Sequence, residues 1–323
     1  MNNGIMAAVL TASLAASTGV AHAAPPREPV RVAVVDVQPD RLDCKDANTT
    51  LINATPPLPP GMREAVARSG GTSHGVVVMT ALVEEIRKND RDVPIEVYAI
   101  NPFIKDSASG ESRFSKAMLR EGLNSLQGKN VRIAVTTFAI NDPVQGQKIA
   151  DMFKERGMVL FASSPNEPND PGIYPAASND VISIAQDGGG RAISKDQRYR
   201  EFTKFVFPGE YIGRSAQTTG ASFATPRAAA YGALMVHRDP SYGREDIVRM
   251  FDGIGHETAG YPKGVKFVDG RRLMTAIDSI KPAAISRDSE GPAAQVAAVA
   301  ETVAKPDQAV RQARMAAFAS MSR

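Results

Sequence analysis

Five short runs of β-branched and other apolar residues recur in the first 185 positions, and stretches with helical spacing lie between them. Val30-Arg31-Val32-Ala33-Val34-Val35-Asp36 opens the series and ends on a carboxylate. Ile95–Ile100, Val131–Phe138, Met158–Ala162 and Asp180–Ala185 continue it. Near-continuous apolar runs of this length mark strands buried on both faces, as in parallel sheets. Gly75–Lys88 reads as a helix, with Val76, Val77, Val78, Met79, Leu82, Val83 and Ile86 apolar and Glu84, Glu85, Arg87 and Lys88 solvated. Phe114–Leu126 and Val144–Arg156 carry the same spacing, and Gly157 closes the second of these. Alternating strand and helix predict an α/β fold of three layers, a mainly parallel central sheet with helices on both faces. Sites in such sheets form beyond the carboxyl ends of the strands, where Asp36, Thr137 and the loop after Ala162 fall.

The 323 residues suffice for one large α/β domain or two small ones, and the 43% apolar share is ordinary for a globular chain. Net charge is only +3 with Lys and Arg scattered, which gives no nucleic-acid footprint. Cys44 is the single cysteine, so no intramolecular disulfide forms; with no His or second Cys near it in sequence, it reads as an isolated thiol. Residues 1–24 read as an export signal. Met6–Val20 is uncharged and apolar, and Ala21-His22-Ala23 gives the small-x-small pattern before a cleavage point. The run is too short and too weakly hydrophobic for a membrane span, and none follows it, so the expectation is a periplasmic or secreted protein. A Pro-rich loop is centred on residues 55–61. Residues 25–280 make the folded domain, and 281–323 an Ala-rich tail, helical or partly disordered, with no chemistry to assign.

Chemistry concentrates at a few positions. Gly220-Ala221-Ser222 leads into an apolar segment of good helix formers, with Pro226 placed close to the first helical turn. Ser222 would lie where free backbone N–H groups and the helix dipole favour negative charge, a seat for a nucleophile whose attack creates an oxyanion. It would equally serve as a plain N-cap. His74 precedes an apolar helix and is either an inert hydrogen-bonded imidazole or a general base. Asp36 either caps the turn after its strand or orients that base. Asn166, in Ala162-Ser163-Ser164-Pro165-Asn166, is a turn former or an amide donor. Together these supply the nucleophile, base, orienting carboxylate and oxyanion donor of a serine hydrolase. His22 falls in the signal, and His237 and His256 read as surface or loop positions.

The order Asp36, His74, Ser222 with these flanks resembles the subtilisin family of serine peptidases. Val32-Ala33-Val34-Val35-Asp36 resembles the strand carrying that family's catalytic Asp, and Ser73-His74-Gly75 the beginning of its His motif. Gly220-Ala221-Ser222-Phe223-Ala224-Thr225-Pro226 is similar to its Gly-Thr-Ser-Met-Ala-x-Pro nucleophile motif. Val159–Glu167 is similar to the segment carrying the side-chain oxyanion donor, here Asn166. Tyr174-Pro175-Ala176, Phe207-Pro208-Gly209 and the segment from Asp269 to Ala276 match further landmarks, so the likeness spans about residues 30 to 280. Four departures stand out, the first being that Asp36 is followed by Val37-Gln38 where the family has a small residue and Gly. His74-Gly75 continues as Val76-Val77, Ala221 replaces a Thr, and one extra residue separates Ala162 from Asn166.

The resemblance implies a subtilisin-like fold and an exported serine endopeptidase that cuts peptide or protein substrates through an acyl-enzyme. Asp36, His74 and Ser222 would be catalytic, Asn166 would donate to the oxyanion, and Thr137 and Phe138 would pair with an extended peptide as an added strand. It implies no cofactor and no catalytic metal, and structural calcium only through family likeness. A binding protein that keeps the fold without activity, or an acyl hydrolase with the same triad, are the rival readings. Oligomeric state is not set by the sequence.

Overall fold

The alternation of strand and helix resolves into thirteen strands and six helices in a computed structural model that describes residues 27–37, 39–44, 46–64, 73–166, 171–187, 202–212, 217–258 and 261–280. The chain begins with β1 (Val30–Val35), β2 (Thr49–Asn53) and β3 (Met62–Glu64), and then forms α1 (His74–Asn89). Next come β4 (Ile95–Ile100), β5 (Phe103–Asp106), β6 (Ser112–Phe114), α2 (Lys116–Asn124) and β7 (Ile133–Thr136). They are followed by α3 (Pro143–Lys154), β8 (Val159–Ser163), β9 (Val181–Asp187) and β10 (Phe205–Pro208). A hairpin of β11 (Glu210–Ile212) and β12 (Gln217–Thr219) leads into α4 (Ala221–Arg238). Finally α5 (Arg244–Ile254), β13 (Lys266–Phe267) and α6 (Gly270–Asp278) complete the described chain.

Eight strands form one sheet in the order β13-β10-β9-β8-β7-β1-β4-β2, and every neighbouring pair in it is parallel. From β1 the chain goes out to β2 at one edge and back to β4 between them, then crosses to lay β7, β8, β9 and β10 on the other side. The switch of direction falls between β1 and β7. Connections on either side of such a point lead away from each other, and the crevice left at the carboxyl ends is where open α/β sheets bind ligands.

Both faces of the sheet are covered. Val32 and Val34 of β1 enter one core with Val78 and Leu82 of α1, Ala229 of α4, Phe251 of α5 and Leu273 of α6. Ala33 and Val35 point the other way and meet Leu119 and Leu123 of α2 and Ile149 and Phe153 of α3. This alternation is the period of two that a fully buried strand must show. The long helix α4 packs on β7, β8, β9 and β10, and small residues let it approach. At Gly232 a Cβ would stand 2.8 Å from Cζ of Phe161 on β8, so no larger residue fits without displacing that ring.

The five expected strands are β1, β4, β7, β8 and β9, with ends moved by a residue or two. Expected helix ends also move. Phe114 belongs to β6, so α2 starts later, with the Ser115 hydroxyl accepting from Met118 N–H. α3 starts at Pro143, capped by Asp142, and ends before Gly157, which adopts a φ of 67°. The sheet also contains β2, β10 and β13, and a separate antiparallel sheet, β3-β5-β6, forms from segments without a strong pattern. The export signal and the Ala-rich tail lie outside the described residues. Among the described residues no helix is long and apolar enough to cross a membrane.

Candidate active site

Asp36 is the first residue beyond β1, at the switch point, and only 1% of it is exposed. Its carboxylate accepts from the Val37 N–H, the turn-capping role expected of a lone Asp, and also from more distant partners. Nδ1 of His74 lies 2.9 Å from Oδ1 and 3.1 Å from Oδ2 of Asp36, and the Thr137 hydroxyl donates to Oδ2. A carboxylate facing Nδ1 makes that nitrogen the proton carrier and leaves Nε2 as the free base. The negative charge of Asp36 raises the His74 pKa above its ordinary value; burial opposes this and the hydrogen bond reinforces it. The imidazole keeps 34% of its side-chain surface exposed, so its outer edge is open to a reactant.

His74 reaches Asp36 because the start of α1 presses against the turn after β1. Ser73 is the N-cap, its hydroxyl accepting from Val76 N–H at 3.3 Å and donating to the Val37 carbonyl at 3.2 Å. The Gly75 N–H donates to that same carbonyl at 3.1 Å. A Cβ on Gly75 would stand 2.6 Å from the Val37 oxygen, so the approach requires glycine.

Ser222 is the second residue of α4 and is 8% exposed. The N-cap is Gly220, not Ser222, and Pro226 is the sixth helical residue, not one at the first turn. The helix starts earlier because a distant side chain caps it: Oδ1 of Asn166 accepts from Ala221 N–H at 2.8 Å. With its oxygen engaged, the Asn166 carboxamide turns its NH2 away from that bond as a donor. Among the described residues the Ser222 N–H has no acceptor, as expected in the first helical turn. Pro226 has no N–H, so the Ser222 carbonyl lacks its usual helical donor. Between Ala162 and Asn166 the ladder continues past the expected strand end. Ser163 pairs with Ile184 in β9 and Ser164 N–H donates to the Ile184 carbonyl at 2.8 Å, after which Pro165 turns the chain.

Phe223 joins the two halves of the site. Its ring packs against Val77 and Ala81 of α1 and lies 6.0 Å from the His74 ring, tilted by 46°. Asp36 and His74 are thus bonded directly, and Ser222 and Asn166 share the first turn of α4. Among the described residues no hydrogen bond joins His74 to Ser222. Thr137 stands one residue past β7 with its hydroxyl on Asp36, and Phe138 sits 5.4 Å from Phe103 and 5.0 Å from Phe114 in a three-ring cluster. Sequence reasoning did not find the Thr137–Asp36 bond, the Gly75 contact or the tilted Phe223–His74 ring contact. Each joins segments far apart in the chain, which no local pattern encodes. Cys44 is half-buried and its thiol pKa is pushed up chiefly by burial, which makes it a poor nucleophile. Among the described residues no group of three His, Cys, Asp or Glu is placed to hold a metal.

Over 94 residues the chain is 33% identical to the minor extracellular protease Epr of Bacillus subtilis (strain 168). That similarity covers 27% of this chain and 15% of the length of that protease. No family model matches the chain.

Proposed function

We propose that this protein is an exported serine endopeptidase of the subtilisin type, with Ser222 as nucleophile, His74 as general base and Asp36 as the group that orients it. One observation carries the reading: a buried carboxylate at the switch point holds Nδ1 of a half-exposed imidazole. The same site contains a serine at a helix N-terminus whose neighbouring N–H is clamped by Asn166. The partial likeness to an extracellular protease supports it. In this mechanism Nε2 of His74 takes the Ser222 hydroxyl proton as Oγ attacks the scissile carbonyl. Asp36 stabilises the imidazolium without taking its proton. The Ser222 N–H and the Asn166 NH2 receive the oxyanion, and His74 then protonates the leaving amine. Water repeats the sequence in reverse to release the acid. The Asn166, Thr137 and Phe138 roles toward substrate belong to this proposal.

A second reading, a binding protein on the same scaffold, is favoured by the missing hydrogen bond between His74 and Ser222. Catalytic hydrogen bonds often tighten only when substrate is bound, so both readings meet the same test. Fluorophosphonate labelling of the purified protein requires an activated serine and no knowledge of the substrate. Labelling that Ser222→Ala and His74→Ala both abolish supports the peptidase. A folded protein that stays unlabelled refutes it.

A further inference from the structure

Behind Asn166 lies a set of buried hydroxyls. Thr225, on the first turns of α4 and 0% exposed, donates its Oγ1–H to the Ala221 carbonyl at 2.7 Å. Ser163 Oγ lies 2.8 Å from the same Oγ1. A hydroxyl has one proton, and that of Thr225 is already used, so Ser163 is the donor to Thr225. A closed path results. Ser163 at the end of β8 holds Thr225, Thr225 holds the Ala221 carbonyl, and the Ala221 N–H holds Oδ1 of Asn166, three residues beyond Ser163. Ser164, the next residue along, is anchored as well, because its Oγ lies 2.8 Å from both Ser183 Oγ and Thr203 Oγ1. Ser163, Ser164, Ser183 and Thr203 are all buried.

Burying hydroxyls costs free energy that apolar residues of the same shape would not, and a satisfied network gives geometric definition in return. We propose that Thr225, through its bond from Ser163, is a positioning residue that fixes the Asn166 carboxamide against the helical turn bearing Ser222. This rests on the reading of Ser222 as nucleophile and Asn166 as oxyanion donor. Val has the shape of Thr without the hydroxyl, and Ser restores the hydroxyl without the methyl.

Two readouts test the inference. In the first, the side-chain NH2 signals of Asn166 are followed by NMR in 15N-labelled protein. Thr225→Val shifts them and speeds their exchange, and Thr225→Ser returns them to the wild-type positions. Ser163→Ala removes the same bond from the other end while leaving Thr225 its acceptor, so it serves if Thr225→Val fails to fold. Unchanged Asn166 signals in the folded variants overturn the inference, whether or not the protein is a peptidase. In the second, Ser222 is labelled with a fluorophosphonate, and Thr225→Val slows labelling about tenfold, since small misplacements of a catalytic group cost one to two orders of magnitude. In an Asn166→Ala background Thr225→Val has no further effect, because the two act as one unit. Equal slowing in both backgrounds overturns the inference. A wild-type protein that is not labelled at all defeats the peptidase reading, and the NMR readout still decides the positioning role.

Discussion

Replacing Gly75 by Ala should disable the site without touching any reacting group. The new Cβ would stand 2.6 Å from the Val37 carbonyl oxygen and 3.1 Å from the N and Cβ of Pro39. The closest contact is with backbone, which cannot rotate aside, and it is about 0.8 Å short of the 3.4 Å where ordinary contact begins. Val37 follows Asp36 and Gly75 follows His74, so the strain falls on the junction that sets the 2.9 Å and 3.1 Å contacts between them. Opening that junction by most of the deficit takes both contacts out of hydrogen-bond range. Misplacing a catalytic group by about 1 Å costs about 100-fold in rate, while overpacking of this kind costs about 1–3 kcal/mol of stability. Fluorophosphonate labelling kinetics and thermal melts of the same sample separate the two effects. Ser73→Ala is the comparison: it loses the N-cap, about 1 kcal/mol, and the bond to the Val37 carbonyl, but introduces no clash and leaves the Gly75 N–H on that carbonyl, so stability falls while the labelling rate drops far less than in Gly75→Ala. Wild-type labelling by Gly75→Ala would refute the claim that this close approach sets the Asp36–His74 geometry.

Further outcomes follow from the structure. If His74 acts as the proposed base it must be neutral to accept a proton, and Asp36 raises its pKa, so the acid limb of the rate profile should lie above 6.5. Asp36→Asn should move that limb down and reduce kcat by about 10⁴, as loss of the orienting carboxylate does in such triads. The sign for stability is set by the same shift. The His74–Asp36 contribution is fully present below the unfolded His value near 6.5 and is lost as pH rises through the raised folded value. Urea melts across that range should show the slope in wild type and not in Asp36→Asn. Gly232→Ala should destabilise by about 1–3 kcal/mol through its 2.8 Å contact with Phe161, partly offset by better helix propensity, and Phe161→Leu should recover most of the loss in denaturant melts.

The layered fold was legible because its strands are buried on both faces and so read as unbroken apolar runs. Val30–Val35 and Val159–Ser163 are of this kind. β2 was not, because an edge strand such as Thr49–Asn53 has one free side and need not be apolar throughout. β13 is two residues long and exists by pairing with β10, a contact no local pattern encodes. At the site, residue types and their order pointed to Asp36, His74, Ser222 and Asn166. The start of α4 was misplaced because its cap is the Asn166 side chain, 55 positions earlier in the chain. Local capping rules see only neighbours, so Pro226 looked like a first-turn residue although it lies a turn and a half inside. Thr137 drew attention as a residue at a strand end, and its hydroxyl on Asp36 depends on β1 and β7 being neighbours, which is topology.

That topology also accounts for the electrostatics of the site. A chain that leaves the carboxyl end of a parallel strand and returns to the amino end of another must send its crossover helix back across the sheet. The N-terminus of such a helix therefore lies at the strand carboxyl ends. α1 and α4 are placed in this way, and His74 and Ser222 are their first and second residues. Two helix N-termini thus lie where the parallel strands end, near the carboxylate that follows β1, and each presents the positive end of its dipole. One of them faces the fixed charge of Asp36. The other surrounds the place where negative charge would develop if Ser222 attacked a carbonyl. Small residues on α4, Ala228, Ala229, Ala230 and Gly232, let it lie close to the sheet beneath that point. The packing that makes the core and the field that suits the chemistry therefore have the same origin in α4.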